Sequence, residues 1–265
     1  MSCMSNAKIW QRMTVKQIRE GLKSTRTVLI PIGCTEQHGY HLSTDTDNHT
    51  AWQVCVRAAE QTGSFVAPLL PYTFSGGELP GTININLNVV SMMITEILRS
   101  LAFHGLQNLI ITLGHGGSEN LEAVRLGASH FVRDHACYAD RRVAVHNFAE
   151  LCDGFINMYT QKKDYHAGEF ETALMLYWAP DDVYLDEMTT DRADILNMMR
   201  DNPDAYQVFS RPVDHPAVVQ RVAQNPEIEV GVMGDPSLAT VELGESLAKE
   251  AVDSLVELIR TMEAG

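Results

Sequence analysis

The chain has 265 residues, 45% of them apolar, which suits one α/β domain with a sizeable core and excludes a disordered chain. Its 20 Lys plus Arg against 34 Asp plus Glu leave a formal charge of −14, without the basic footprint that a nucleic-acid-binding surface needs. No run approaches the roughly 18 apolar residues of a membrane span, and the first ten residues carry no apolar signal segment. A cytoplasmic protein with neither nucleic acid nor membrane as a partner is the expectation. The five cysteines, Cys3, Cys34, Cys55, Cys137 and Cys152, are odd in number and scattered, so reduced thiols are expected.

Taken in order, Thr14-Val15-Lys16-Gln17 reads as a capping box opening a helix to about residue 24. The apolar run 28–32 predicts a buried strand, and Ala51, Val54, Cys55 and Ala58 fall at helical spacing in 48–61, closed by Gly63. A second apolar run, 65–70, ends at Pro71 and gives way to a turn-rich loop over 74–82. Asn88 is placed to cap a helix through 103, with Val89, Met92, Met93, Ile97 and Leu101 on its buried face. Strand 108–113 runs straight into Gly114-His115-Gly116-Gly117-Ser118-Glu119-Asn120, and a helix follows to about 133. Strand 142–148 comes next, then His166-Ala167-Gly168-Glu169-Phe170-Glu171-Thr172 leading into a helix at 173–178. The polar stretch 187–228, with four prolines, reads as irregular surface or an oligomer contact. A turn at 231–236 precedes an amphipathic helix over 238–262, with Leu247, Ala251, Leu255 and Leu258 on one side. No linker divides the chain, so 1–265 reads as a single domain. Its strand–helix alternation predicts an α/β fold with a mostly parallel central sheet and helices on both faces. Such sheets place their sites at the carboxyl ends of strands, which is where the loops 33–47 and 114–120 both begin.

The first of those loops holds Glu36, His38, His41, Asp45 and Asp47; the second holds His115. Carboxylate and imidazole together are what borderline divalent ions prefer. Residues two apart on an extended segment face the same way, so Glu36 and His38 serve one ion or two adjacent ones. A carboxylate such as Asp47 can bridge. Two ions about 3.5–4 Å apart hold a hydroxide ready to attack a carbonyl. Each residue alone has a plainer reading. Glu36 can cap a helix or pair with a lysine, His38 and His115 can be satisfied polar residues, and Asp47 can be an N-cap. The four on two post-strand loops predict a metal site. His41 and Asp45 read equally as ligands or as partners behind them. Cys34 is a possible nucleophile, but a small buried thiol is the commoner use, and a metal-held hydroxide makes it unnecessary. His49, His104, His130, His135, His146 and His215 have no motif context.

Glu36-Gln37-His38-Gly39 with Asp47 resembles the first signature of the creatininase (creatinine amidohydrolase) family, and Pro80-Gly81-Thr82 resembles its second. Gly114-His115-Gly116-Gly117 with Asn120 resembles its glycine–histidine motif, and His166-Ala167-Gly168-Glu169 with Glu171-Thr172 the fourth. Gly231, Gly234-Asp235-Pro236 and Ala239-Thr240 resemble the C-terminal signature. The resemblance implies a three-layer α/β/α fold and two divalent ions, Zn²⁺ first, Mn²⁺ or Fe²⁺ otherwise, in a homohexamer. By position, Glu36 and His115 hold one ion and His38 the other, with Asp47 between them. Glu171 is the first choice for the remaining acidic ligand, with Glu119 its competitor and Glu169 beside it. His166 is the proton donor or acceptor, Glu119 a further catalytic candidate, and His41, Ser75 and Gly116 are expected to contact substrate.

There are departures. Leu113 precedes the Gly-His where the family has Asn, Ser118-Glu119 lengthen the loop, and His41-Leu42-Ser43-Thr44 replaces a proline-containing segment. The expectation is a metal-dependent hydrolase of a small cyclic or formylated amide. The alternatives are a carbon–carbon hydrolase of a cyclic polyol diketone, of the 3-dehydro-scyllo-inosose type, and a non-catalytic hexameric metal-binding protein.

Overall fold

The computed structural model describes residues 6–134, 136–150 and 152–265, so Cys3, His135 and the start of the N-terminal segment lie outside the described residues. Five parallel strands, β1 (Lys8–Ile9), β2 (Thr27–Ile32), β3 (Phe65–Val66), β4 (Asn108–Leu113) and β5 (Arg142–Asn147), lie in the order β1-β3-β2-β4-β5. Every residue of β2 and β4 is buried, as expected of central parallel strands covered on both faces.

The strand period of two divides those side chains between two cores. Val28, Ile30 and Ile32 of β2, with Leu109, Ile111 and Leu113 of β4, pack under α3 (Leu87–Phe103) and α4 (Ser118–Asp134). Leu29 and Ile110 turn the other way, toward α2 (Thr46–Thr62), α6 (Glu169–Trp178) and α8 (Val241–Ala264). The result is the three-layer α/β/α architecture. In α8 the row Leu247, Ala251 and Leu255 is buried against α2 and α6, with Leu258 partly buried beside it. Among the described residues, no helix is long and apolar enough to cross a membrane.

Local signals explain most boundaries. Thr14 and Gln17 form the capping box of α1 (Val15–Gly21). Gly63 closes α2 at φ +71°, a left-handed position that glycine occupies without a Cβ clash. Two expectations are corrected. The cap of α3 is Asn86, whose side chain accepts from the Asn88 N–H, and its buried row is Val90, Ile94, Leu98 and Leu101. Val89 and Met92 are exposed instead. Both rows are apolar at helical spacing, so periodicity alone does not choose between them.

The second correction concerns 187–228, which is not merely irregular surface. After α5 (Asp153–Asn157) and α6, the polar stretch itself opens with α7 (Ala193–Asp201). A 3-10 turn, Pro203–Tyr206, follows and leads into an antiparallel hairpin of β6 (Gln207–Ser210) and β7 (Arg221–Gln224).

The pairing of β2 with β4 sets up the site. Ile32 sits opposite Leu113, so the strands end level and the loops that follow leave the sheet side by side.

Candidate metal centre

Asp47 lies in the first turn of α2, which is held tightly against the end of β4. Gly114 permits this: a Cβ there would stand 2.0 Å from the Asp47 carbonyl oxygen. Asp47 is thereby placed between the two loops. Its Oδ1 is 3.3 Å from His38 Nε2 and its Oδ2 is 3.3 Å from His115 Nδ1. Glu36 Oε2 stands 3.0 Å from the same His115 nitrogen, and Glu171 Oε2 stands 3.6 Å from His38 Nε2. All five side chains are buried.

These short approaches are not hydrogen bonds. His38 Nε2, Glu36 Oε2 and Asp47 Oδ2 are buried without a hydrogen-bond partner, although such atoms are nearly always satisfied inside proteins. Donor atoms that crowd together without bonding one another are arranged around a shared third partner. The tautomer agrees. His38 Nδ1 lies 3.1 Å from the Glu36 backbone carbonyl, which can only accept, so Nδ1 carries a proton and Nε2 is the nitrogen left for an ion in the cluster. Oxygen and imidazole nitrogen in this mix suit a zinc- or manganese-type divalent ion. The residues present therefore fit the metal that the motifs imply. His38, Asp47 and Glu171 offer atoms within 4.8 Å of one another, as do Glu36, His38 and His166.

The electrostatics match. Burial opposes a positive charge on His38, yet Asp47 and Glu171 raise its pKa well above the ordinary value, and Glu36 and Asp47 do the same at His115. Burial likewise opposes charge on Glu36 and Asp47, but the surrounding imidazoles hold both carboxyls below their ordinary values. The raised imidazole values show that the carboxylates around them favour positive charge at this point. Cys34 offers its sulfur beside Glu36 and Asp47, but burial pushes its thiol up to about 11, so it is no thiolate nucleophile.

Above the cluster is a cavity of about 360 Å³. Ser75 and Gly116 are on its wall, and Ser75 Oγ donates to Glu36 Oε1 at 2.6 Å. His166 is on the wall too, its ring 4.3 Å from that of His38. His166 Nε2 lies 2.8 Å from the Gln37 carbonyl and 3.2 Å from Gln37 Nε2, so main chain and side chain of one residue hold the ring. The Gln37 backbone N–H donates to Thr82 Oγ1 at 3.1 Å, which ties the Pro80-Gly81-Thr82 motif to this frame.

The 203–228 segment roofs the cavity, contributing Pro203, Asp204, Tyr206, Gln224 and Ile228. Gln224 Oε1 accepts from the Glu78 N–H at 3.0 Å and holds the hairpin to the glycine-rich loop. Gly76, at φ +92°, leaves room for Tyr206, whose Oη would be 2.4 Å from a Cβ there.

Two candidates fall elsewhere. Glu119 is in the first turn of α4, where its Oε2 accepts from Gln207 Nε2 at 3.0 Å, and it is not part of the donor cluster. Through that bond it anchors the roof. His41 is fully buried off the cavity wall, with Nε2 3.0 Å from Thr172 Oγ1, so it is behind the centre and not at a substrate face. Burial and the nearby His38 charge lower its pKa to about 4. Asp45 is exposed and accepts from Asn48 Nδ2, and Glu169 pairs with Lys162 at 2.6 Å.

The sequence reading missed Asp164. Its two oxygens accept from the Glu169 and Phe170 N–H groups at 3.0 and 2.8 Å, fixing the first turn of α6 from which Glu171 reaches the cluster. An aspartate five residues before a helix start was the available signal. The roof tyrosine was also missed, because it lies in a stretch without periodicity.

The creatininase family model, described as creatinine amidohydrolase, matches residues 11–259. The chain is 30% identical over 245 residues to a mycofactocin precursor peptide peptidase of Mycolicibacterium smegmatis, covering 88% of this chain and 84% of that protein. It is 28% identical over 257 residues to the creatinine amidohydrolase of Pseudomonas putida, covering 88% of each. A mutant creatininase of the zinc–zinc type superposes with a TM-score of 0.77 at 25% identity, over 96% of this chain and 97% of that one.

Proposed function

The chain belongs to the creatininase family and is a metal-dependent hydrolase, and from that premise we propose that it cleaves the C–N bond of a small amide. We assign Glu36, His38, Asp47, His115 and Glu171 to two divalent ions, zinc first and manganese next. The observation that carries the assignment is the cluster of buried, unpaired donor atoms from two strand-end loops, completed by a glutamate of α6. When bound, such ions activate water and neutralise the oxyanion that develops at the carbonyl.

The side chains around them do the rest. Ser75 holds one oxygen of Glu36, so the other faces His115. Gln37 orients the His166 ring, which then takes a proton and returns it to the leaving nitrogen. Gly116 presents backbone without a side chain at the wall, where the substrate's polar groups can approach. A cavity of about 360 Å³ admits a small cyclic or formylated amide, or the end of a peptide. The peptidase relative favours including peptide amides in the tested set. A cytoplasmic homohexamer completes this reading. Exposed Met92 and Phe103 on α3 support a self-contact.

The test is metal analysis of the reconstituted protein followed by a panel of lactams, formamides, short peptides and inosose derivatives. Two bound ions per chain and release of an amine or ammonia are expected. Fewer than one ion after reconstitution would sink the two-metal reading. Ring opening without nitrogen release would instead establish the carbon–carbon hydrolase, and full loading with no turnover the binding protein.

A further inference from the structure

The cavity wall is uneven in chemistry. Among its lining residues there is no lysine and no arginine. Its charged members besides the two histidines are four carboxylates: Glu36 and Glu171 at the donor cluster, and Glu150 and Asp204, both of which are exposed. Glu150 is already paired, with Arg125 Nη2 at 3.0 Å, and that arginine is not on the wall. Asp204 has no side-chain partner among the described residues. Five rings, Phe148, Tyr159, Tyr165, Phe170 and Tyr206, make up much of the remaining wall. Tyr159 stacks on Tyr165 at 5.8 Å and 9°, and meets Phe170 edge-on at 5.6 Å and 81°, so this side is a preformed aromatic surface. Across from it, the Tyr206 hydroxyl has no hydrogen-bond partner among the described residues. Burial pushes its pKa up to about 12, so it is present as a neutral donor.

We propose that this chamber selects its substrate by charge: the part of the amide beyond the scissile bond is neutral or cationic, and a free carboxylate there is rejected. The inference rests on the amide-hydrolase reading above and sharpens its substrate class. A carboxylate taken out of water needs a fixed cation or several donors, and proteins that recognise one usually supply arginine. Away from the metal centre, where the part beyond the scissile bond lies, this wall offers neither arginine nor lysine, and Asp204 repels it. An ammonium or guanidinium group finds ring faces, which attract cations, and an unpaired carboxylate. A neutral amide finds the Tyr206 hydroxyl as a donor. Selection of this kind acts through the penalty on the wrong ligand as much as through contacts to the right one. It follows that a peptide substrate is not cleaved beside a free C-terminal carboxylate.

The experiment uses the full-length, metal-loaded protein and three formamides of matched length: N-formyl-β-alanine, its carboxamide, and N-formyl-1,3-diaminopropane. Formate release is read for all three, and calorimetry gives their Kd values. The carboxamide and the amine are expected to surpass the carboxylate by at least tenfold in kcat/KM or, without turnover, in Kd. Asp204→Lys, on the exposed roof, is expected to shrink that ratio at least threefold while metal content stays unchanged. Equal or better use of N-formyl-β-alanine by the unaltered protein overturns the proposal whether or not the variant folds. Absence of turnover with all three and throughout the wider amide panel counts against the amide-hydrolase reading, while the order of the Kd values still decides the charge selection.

Discussion

His38 Nε2 and Asp47 Oδ1 stand 3.3 Å apart, yet the imidazole nitrogen has no hydrogen-bond partner. Asp47 repeats the relationship with its other oxygen toward His115. One carboxylate therefore faces both halves of the cluster, and under the proposed function it is the bridge between two ions. Asp47→Asn keeps the shape and removes the charge. Metal content is expected to fall from two ions to one or fewer and turnover by more than about 100-fold, beyond the usual effect of residues behind the ligands. Plasma mass spectrometry and circular dichroism check it. A variant that keeps two ions and full activity refutes the bridge.

Glu171 and Glu119 make opposite predictions. Glu171 reaches to 3.6 Å from His38 Nε2, whereas Glu119 is occupied by Gln207 at the roof. Glu171→Gln is expected to lose one ion and at least about 100-fold in turnover. Glu119→Gln keeps both ions and loses less than about tenfold, through a roof hydrogen bond worth about 1 kcal/mol. Equal losses in the two variants would return Glu119 to the centre.

The residues behind this contrast show what a sequence carries. The convergence of Glu36, His38, Asp47 and His115 was legible because unusual residue types crowd two loops that follow apolar strands, and strands β2 and β4 end in register. The layer order was legible because the apolar runs are short and alternate with helical spacing. The face of α3 was not, because Val89 and Val90 start equally good apolar rows. The competition between Glu171 and Glu119 was not either, since it turns on where a lengthened loop points. Nor was the roof: 203–228 is held by Gln224 and Gln207, and Asp191 fixes 229–231 just after it, contacts whose long range leaves no periodic trace.

Asp164 supports the centre from a distance. Its carboxylate accepts two N–H groups at the start of α6 and is 2% exposed, so Asp164→Ala leaves buried donors unpaired. A loss of about 2 kcal/mol is expected, combining an end-cap and its burial. Because Glu171 sits on that turn, metal affinity should also fall by about tenfold. Urea unfolding and a metal titration at pH 7 measure the two effects. Destabilisation with unchanged metal affinity would limit Asp164 to holding the helix.

His146 gives the fold an acid sensitivity that owes nothing to the metal centre. It is the penultimate residue of β5, 1% exposed, with Nε2 3.2 Å from Ser254 Oγ on α8 and Nδ1 without a partner among the described residues. Burial lowers its pKa from 6.5 to about 4. The folded form is therefore neutral where the unfolded chain already binds a proton. Its contribution to stability is fully present above pH 6.5 and is lost as the pH falls through the window between about 6.5 and 4. At pH 5 the loss amounts to about 2 kcal/mol, from one unit being worth about 1.4 kcal/mol. Urea unfolding of the unaltered protein and of His146→Gln at pH 7 and pH 5 measures it. Glutamine keeps a polar group near Ser254 and cannot take up a proton, so the variant's drop in stability between the two pH values should be smaller by about that amount. An identical drop in both proteins would place the acid-sensitive group elsewhere.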